Sequence, residues 1–139
     1  MSKIVCGIDI EGSTANLVTL SGDRESSDFV GIKFKKIGIK DHKNQDEIQT
    51  FRQALLSHLE NEGVSVIGIK TRSTKGEFSA GPISFKLEGI IQTLNVPVQF
   101  VHPATIKATM KKYNIDLEEL GIYKYQHEAY KVAFHLLGA

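Results

Sequence analysis

The chain has 139 residues, of which 41% are hydrophobic and 24% charged, as is ordinary for a water-soluble globular protein, and this length predicts one domain over 1–139. The formal net charge of +1 excludes a strongly basic or acidic protein, so the overall charge indicates no class of partner. No apolar run approaches the roughly 18 to 20 residues of a transmembrane helix, which predicts no membrane partner and a cytoplasmic location.

The first part of the chain predicts three antiparallel strands and a helix. Apolar runs at 3–10 and 15–20 surround a Glu-Gly-Ser-Thr turn, which is typical of a β-hairpin. Residues 29–39, FVGIKFKKIGI, alternate apolar and basic side chains as a half-exposed third strand does. Asp46 is predicted to cap the following helix, because its carboxylate can accept amide hydrogens of the first turn, and Gly63 is predicted to end it.

The remaining elements alternate between strands and helices. Residues 64–69 and 96–101 predict short buried strands. Helices are predicted to begin at Pro82 and Pro103, because proline suits the first helical position, and a last helix is predicted over about 123–137. The order β-β-β-α-β-α-β-α-α predicts an α/β protein with a mixed sheet and helices packed on its faces.

Three carboxylates are the candidate catalytic and metal-binding groups. Asp9 and Glu11 end the first apolar run two residues apart, so they project from one face of a strand. A buried carboxylate is costly unless it is paired or coordinated, and carboxylates are ligands for Mg²⁺ or Mn²⁺. Glu128 borders the apolar side of the last helix and is the third candidate. Solvated side chains are the alternative for all three, and a phosphate cradle is another for the first two.

Five basic residues are candidates for binding nucleic acid or another anion. Lys70, Arg72 and Lys75 lie in a polar segment directly after a strand, where phosphate sites form in sheets of this kind. Lys107 and Lys111 lie on one face of the third predicted helix. Such sets bind phosphate backbones, and ordinary solubilising charge is the alternative.

Several segments resemble one superfamily, in order along the chain. GIDIEGSTANLVTL (7–20) resembles the opening hairpin of RuvC-type Holliday-junction resolvases and their ribonuclease H-like relatives. VIGIK (66–70) is similar to their later strand, and VPVQFVHPATIKATM (96–110) to the strand and helix that follow. TKGEFSAGPISFKLEGIIQTL (74–94) resembles the bacterial domain-of-unknown-function family 3010 of RuvC-like proteins. The resemblance implies a ribonuclease H-like sheet.

The resemblance also implies roles for individual residues. Asp9 matches the first metal-binding carboxylate of the resolvases, and Glu128 is an imperfect match to the carboxylates of their final helix. The second carboxylate should end the VIGI strand, but this position holds Lys70. Glu11 is then a substitute ligand, since it shares the face of Asp9. An ammonium group at this point repels a divalent ion, which favours a site where Lys70 pairs with Asp9 instead. The alternative is that Lys70 points away and leaves a carboxylate pocket open.

Three hypotheses follow for function. The first is a degenerate nuclease-fold protein that binds nucleic acid, branched DNA or RNA, without a cofactor. The second is an active nuclease or resolvase that depends on Mg²⁺ or Mn²⁺. The third is a protein-interaction module, and a second copy of the chain in a homodimer is a further candidate partner. GIDIEGST (7–14) also resembles the first phosphate loop of actin-like ATPases and sugar kinases, but those enzymes need two lobes.

Overall fold

A computed structural model describes residues 3–72 and 81–138 of the chain. The strands are β1 (Lys3–Glu11), β2 (Thr14–Gly22), β3 (Ser27–Phe29), β4 (Lys36–Gly38), β5 (Val66–Lys70) and β6 (Val98–Val101). The α-helices are α1 (Gln45–Glu62), α2 (Pro82–Ile91), α3 (Pro103–Tyr113) and α4 (His127–Leu137). No helix in these two ranges is long and apolar enough to cross a bilayer.

The strands form one mixed sheet with β1 at its centre. β1 pairs antiparallel with β2 and parallel with β5, and β6 adds parallel to the far side of β5. β3 and β4 both pair antiparallel with β2. The sequence prediction of a mixed α/β sheet with helices on its faces is confirmed.

The predicted single strand over 29–39 is wrong, because this segment contributes to two separate strands. Phe29 ends β3, and β4 begins only at Lys36. Between them Gly31 has a positive φ of 57°, a left-handed conformation that interrupts a strand and suits glycine. The amide of Phe34 then closes a turn on the carbonyl of Gly31 at 3.0 Å. The alternation of apolar and basic residues therefore continues across a bend.

The helix boundaries follow local signals with two corrections. Asn44, and not Asp46, caps α1, because its side chain accepts an amide hydrogen bond of 3.1 Å from the first turn. Gly63 ends the helix in the left-handed conformation, as predicted. The predicted starts at Pro82 and Pro103 are confirmed. The last α-helix starts later than predicted, because Lys124–Gln126 forms a separate 3-10 turn.

Helices cover both faces of the sheet. α1 and α2 pack on one face in a core that includes Ile8, Ile10, Ile67 and Ile69, whereas α3 and α4 pack on the other. Gly7 of β1 and Gly68 of β5 lie under α4.

These two glycines allow α4 to approach the sheet closely. A Cβ atom at Gly7 would overlap the backbone of Ala129 and Ala133, and one at Gly68 would lie 2.6 Å from Val132 and Leu136 side-chain atoms. The missing side chains thus let α4 lie directly against the middle of β1 and of β5.

Candidate functional site

A row of polar residues crosses the sheet near the end of β1. Sheet register pairs Asp9 with Asn16 and Asn16 with Lys36. Lys70 follows the parallel pair Ile8–Ile69, which places it beside Asp9 on the other side. Asp9 lies two residues after Gly7 and so shares the face that α4 covers. Asp9 and Asn16 are only 5% and 3% exposed, so this row carries a carboxylate into a largely dry environment.

Lys70 pairs with α4. Its Nζ atom donates a hydrogen bond of 2.9 Å to Oε1 of Glu128, while Lys131 Nζ donates one of 2.7 Å to Oε2. Burial by itself raises the pKa of Glu128, but the hydrogen bonds and charges of the two lysines outweigh it and hold this pKa below its usual range. The Glu128 carboxylate is therefore ionised between two ammonium groups.

Asp9 has a different cationic neighbour. Nη1 of Arg72 lies 3.8 Å from Asp9 Oδ1 and also donates to the Ile10 carbonyl. Burial raises the pKa of Asp9 above its usual range, an effect that the charge of Lys70 opposes. Within the described residues, Lys70 makes its ion pair with Glu128 and not with Asp9, so the predicted Lys70–Asp9 pair is wrong. The α4 carboxylate competes for the same ammonium group, and its closer approach decides the pairing.

Glu11 and Glu88 complete the acidic surroundings of the row. Glu11 is exposed at the end of β1, and its Oε1 accepts a hydrogen bond of 2.8 Å from the side-chain amide of Asn16. Burial raises the pKa of Glu88 on α2, and the charge of Arg72 opposes the rise. Nε of Arg72 and Oε2 of Glu88 are buried without a hydrogen-bond partner in the part of the chain that the structure describes. Arg72 thus lies among acidic groups from both faces of the sheet.

The three predicted metal ligands do not form a metal site. Across residues 3–72 and 81–138, no group of three or more His, Cys, Asp or Glu side chains is arranged to hold an ion. Glu128 is engaged by two lysines, and the guanidinium of Arg72 faces Asp9. Three cations at these two carboxylates repel a divalent ion and compete for its ligands. The residues present therefore do not fit the Mg²⁺ or Mn²⁺ centre that the resemblance implies.

A groove between α3 and α4 collects several of the predicted basic residues. Its volume is about 520 Å³, and its lining includes Lys70, Lys107, Lys111 and Lys131 together with Glu128. We call this the lysine groove. Pro103, Ile106 and Met110 supply its apolar part.

The predicted basic residues are only partly brought together. Lys70, Lys107 and Lys111 meet in the lysine groove, whereas Arg72 lies against Asp9 and Ile10. Lys75 lies outside the described residues.

Sequence reasoning missed Lys131 and Asn16. The position of Lys131, three residues after Glu128 on a helix, is a local signal that could have identified the pair. Asn16 had no such signal of its own, because its place opposite Asp9 depends on the hairpin register.

Comparisons with known proteins agree with this fold. The model of the family described as "Protein of unknown function (DUF3010)" matches residues 3–136. The chain is similar to Thermus thermophilus RuvC solved with a Holliday junction substrate, with 13% identity, 96% of this chain and 91% of that chain covered, and a TM-score of 0.68. A second T. thermophilus RuvC structure gives 12% identity, 96% and 92% coverage, and a TM-score of 0.70. No curated protein matches the sequence. The fold is therefore RuvC-like, that is, ribonuclease H-like.

Proposed function

The chain belongs to the DUF3010 family of proteins of unknown function, and we propose that it is a nucleic-acid-binding protein in which ion pairs replace the metal centre of a nuclease fold. The observation that carries this proposal is the lysine groove, which begins at the Lys70–Glu128 pair. The same lysine that is incompatible with a divalent ion thus contributes to a cationic surface.

The chemistry of the groove suits a phosphate backbone. Lys107 and Lys111 are exposed on consecutive turns of α3, where their ammonium groups can pair with phosphates without leaving a buried partner. Lys70 and Lys131 share Glu128, so this carboxylate offsets one of their two charges. Pro103 and Met110 line the groove beside the lysines and offer apolar surface to sugars and bases.

Branched DNA is the first ligand to test. One structure with the same fold is a RuvC bound to a Holliday junction substrate. At 13% identity this likeness establishes the fold alone, so it supports the choice of probe and not the specificity. Branched RNA is the second probe, because phosphates are common to both nucleic acids.

The experiment measures binding of labelled four-way DNA and RNA junctions by fluorescence anisotropy over a range of salt concentrations. For the wild type we expect the logarithm of the association constant to fall linearly with the logarithm of salt concentration. The variant Lys107→Ala/Lys111→Ala should lower the affinity and reduce the salt slope by about 2, close to one for each lost phosphate contact.

A matched control separates the groove from general charge. Lys40→Ala/Lys43→Ala removes two exposed lysines from the segment before α1, which packs on the opposite face of the sheet. We expect this variant to bind like the wild type. Equal losses in both variants, or no binding by the wild type, would contradict the proposal and favour the protein-interaction hypothesis. Cleavage of a junction only after Mg²⁺ or Mn²⁺ is added would favour the nuclease hypothesis instead.

A further inference from the structure

Two tyrosines before α4 form an aromatic stack in which Tyr123 is exposed and Tyr125 is partly buried. The rings of Tyr123 and Tyr125 lie with centroids 5.3 Å apart and planes only 8° from parallel. Tyr123 is 55% exposed, which is unusual for an aromatic side chain. Exposed aromatic rings of this kind are the surfaces on which nucleic-acid-binding proteins stack unpaired bases.

Lysines accompany both rings. Nζ of Lys35 lies 4.9 Å from the centroid of Tyr123, and Nζ of Lys36 lies 4.7 Å from that of Tyr125. Residues 29–36 contain three lysines and no acidic residue. A weak cation–π contact at an exposed ring is worth only about 0.5–1 kcal/mol, so these ammonium groups can exchange the ring for a phosphate.

A cavity opens beside Tyr123. Its volume is about 540 Å³, and Phe29, Ile32 and Tyr123 are among its apolar lining residues, while Lys35 and Gln126 supply polar groups. This volume falls within the roughly 300–1,000 Å³ of small-ligand pockets. We call it the Tyr123 cavity. Ile32 on its wall is 63% exposed. The cavity therefore offers apolar surface to the base of a nucleotide and lysines to its phosphate.

The sheet register connects this cavity to the site already described. Lys36, which contacts Tyr125, lies opposite Asn16, and Asn16 lies opposite Asp9. With strands about 4.8 Å apart, Lys36 and Lys70 at the two ends of the polar row are separated by three strand spacings, or about 14 Å along the backbone. A strand bound in the lysine groove therefore needs to extend by only a few nucleotides to reach the tyrosines.

We propose that the Tyr123 cavity binds an unpaired base, stacked on Tyr123, of a nucleic-acid strand whose phosphates are held by Lys35, Lys36 and the lysine groove. This inference rests on the proposed function and deepens it, because it specifies single-stranded segments as the preferred feature of the ligand. Duplex DNA, whose bases are already stacked, uses the lysine groove alone.

The test compares three labelled DNA ligands of equal length: a single strand, its duplex, and a single strand whose sugars lack bases. The wild type should bind the single strand more tightly than the baseless strand. Tyr123→Leu keeps an apolar side chain but removes the ring, and should weaken single-strand binding by roughly 5- to 150-fold, as expected for one stacked base. Tyr123→Phe should retain the affinity, and duplex binding should be unchanged in both variants.

Each outcome separates this inference from the proposed function. Equal wild-type affinity for the single strand and the baseless strand overturns base binding without requiring any variant to fold. An equal loss of duplex and single-strand binding in Tyr123→Leu also overturns it. In either case, losses in Lys107→Ala/Lys111→Ala would leave the proposed function standing. If the wild type binds none of the three ligands and neither junction, both this inference and the proposed function are overturned.

Discussion

The ammonium group of Lys70 lies 2.9 Å from the carboxylate of Glu128 and joins the end of a central strand to the first turn of α4. Two residues that are 58 positions apart thus meet beside Asp9, where the sequence resemblance implies acidic metal ligands. A cation held within hydrogen-bond distance offsets the negative charge that would otherwise attract a divalent ion. The charges of this site are balanced by the chain itself.

Replacing Lys70 and Lys131 one at a time should show which of these two lysines lowers the pKa of Asp9. In Lys70→Met we expect the pKa of both Glu128 and Asp9 to rise, because Lys70 favours the ionised form of each. In the matched variant Lys131→Met only the pKa of Glu128 should rise. Carbon-13 NMR of the carboxyl groups over a pH range measures both values. An equal shift of the Asp9 pKa in the two variants would contradict a specific effect of Lys70 on Asp9.

These lysine variants should cost little stability. The side chains of Lys70 and Glu128 are 28% and 36% exposed, so solvent screens their attraction. We expect Lys70→Met to lower the free energy of unfolding by about 1 kcal/mol or less at neutral pH. Urea unfolding measures this change, and a loss several times larger would show that the pair holds α4 in place.

Asp9→Asn should stabilise the protein at neutral pH. Burial raises the folded-state pKa of Asp9, so the folded protein binds this proton more tightly than the unfolded chain. The stability from Asp9 is therefore fully present below its unfolded pKa and lost as the pH rises through its folded pKa. At pH 7 the neutral amide avoids this loss, so the variant should have the larger free energy of unfolding at this pH.

Urea unfolding of Asp9→Asn and wild type at about pH 7 and about pH 4 checks the sign. The advantage of the variant should shrink at the lower pH, because wild-type Asp9 then takes up a proton. Glu11→Gln is the control, since it removes a charge at the same strand but at an exposed position. Destabilisation by Asp9→Asn at pH 7 would show that its ionised form makes a necessary ion pair with Arg72.

Divalent ions should not stabilise the wild-type protein. A ligand at ten times its dissociation constant raises the stability of the folded state by about 1.4 kcal/mol, so thermal unfolding with and without Mg²⁺ or Mn²⁺ detects binding. We expect no shift in Tm for the wild type or for Lys70→Gln. Lys70→Glu places a third acid near Asp9 and Glu128, so it should destabilise the metal-free protein and respond to Mn²⁺. A shift in the wild type would contradict the absence of a metal centre.

Alanine substitutions at two glycines should have opposite effects. Gly7→Ala places a methyl group against the backbone of Ala129 and Ala133, so we expect a loss of about 2–4 kcal/mol as α4 is displaced. Gly89→Ala on α2 meets open space and should stabilise the helix by up to about 1 kcal/mol. Thermal and urea unfolding of both variants measure these changes. If Gly7→Ala leaves the free energy of unfolding unchanged, α4 does not approach β1 this closely.

Local signals account for most of the correctly predicted fold. The prolines at 82 and 103 and the glycine at 63 act through their own backbone conformations, so the helix boundaries that they set could be predicted from a few neighbouring residues. The segment 29–39 could not, because its alternation is the same for one long strand and for two short ones joined by a turn. β3 and β4 each pair with β2, and this pairing decides between one long strand and two short ones.

The sequence by itself determined the order of elements outside 29–39, the burial of Asp9 between isoleucines, and the presence of lysine where a carboxylate was expected. Only the tertiary structure decided that Lys70 joins Glu128, that Arg72 approaches Asp9, and that Tyr123 lies beside Lys35. The physical reason is that apolar patterning and turn chemistry act over a few residues. The partner of a charged side chain is instead set by sheet register and by how closely α4 packs on the glycines of β1 and β5.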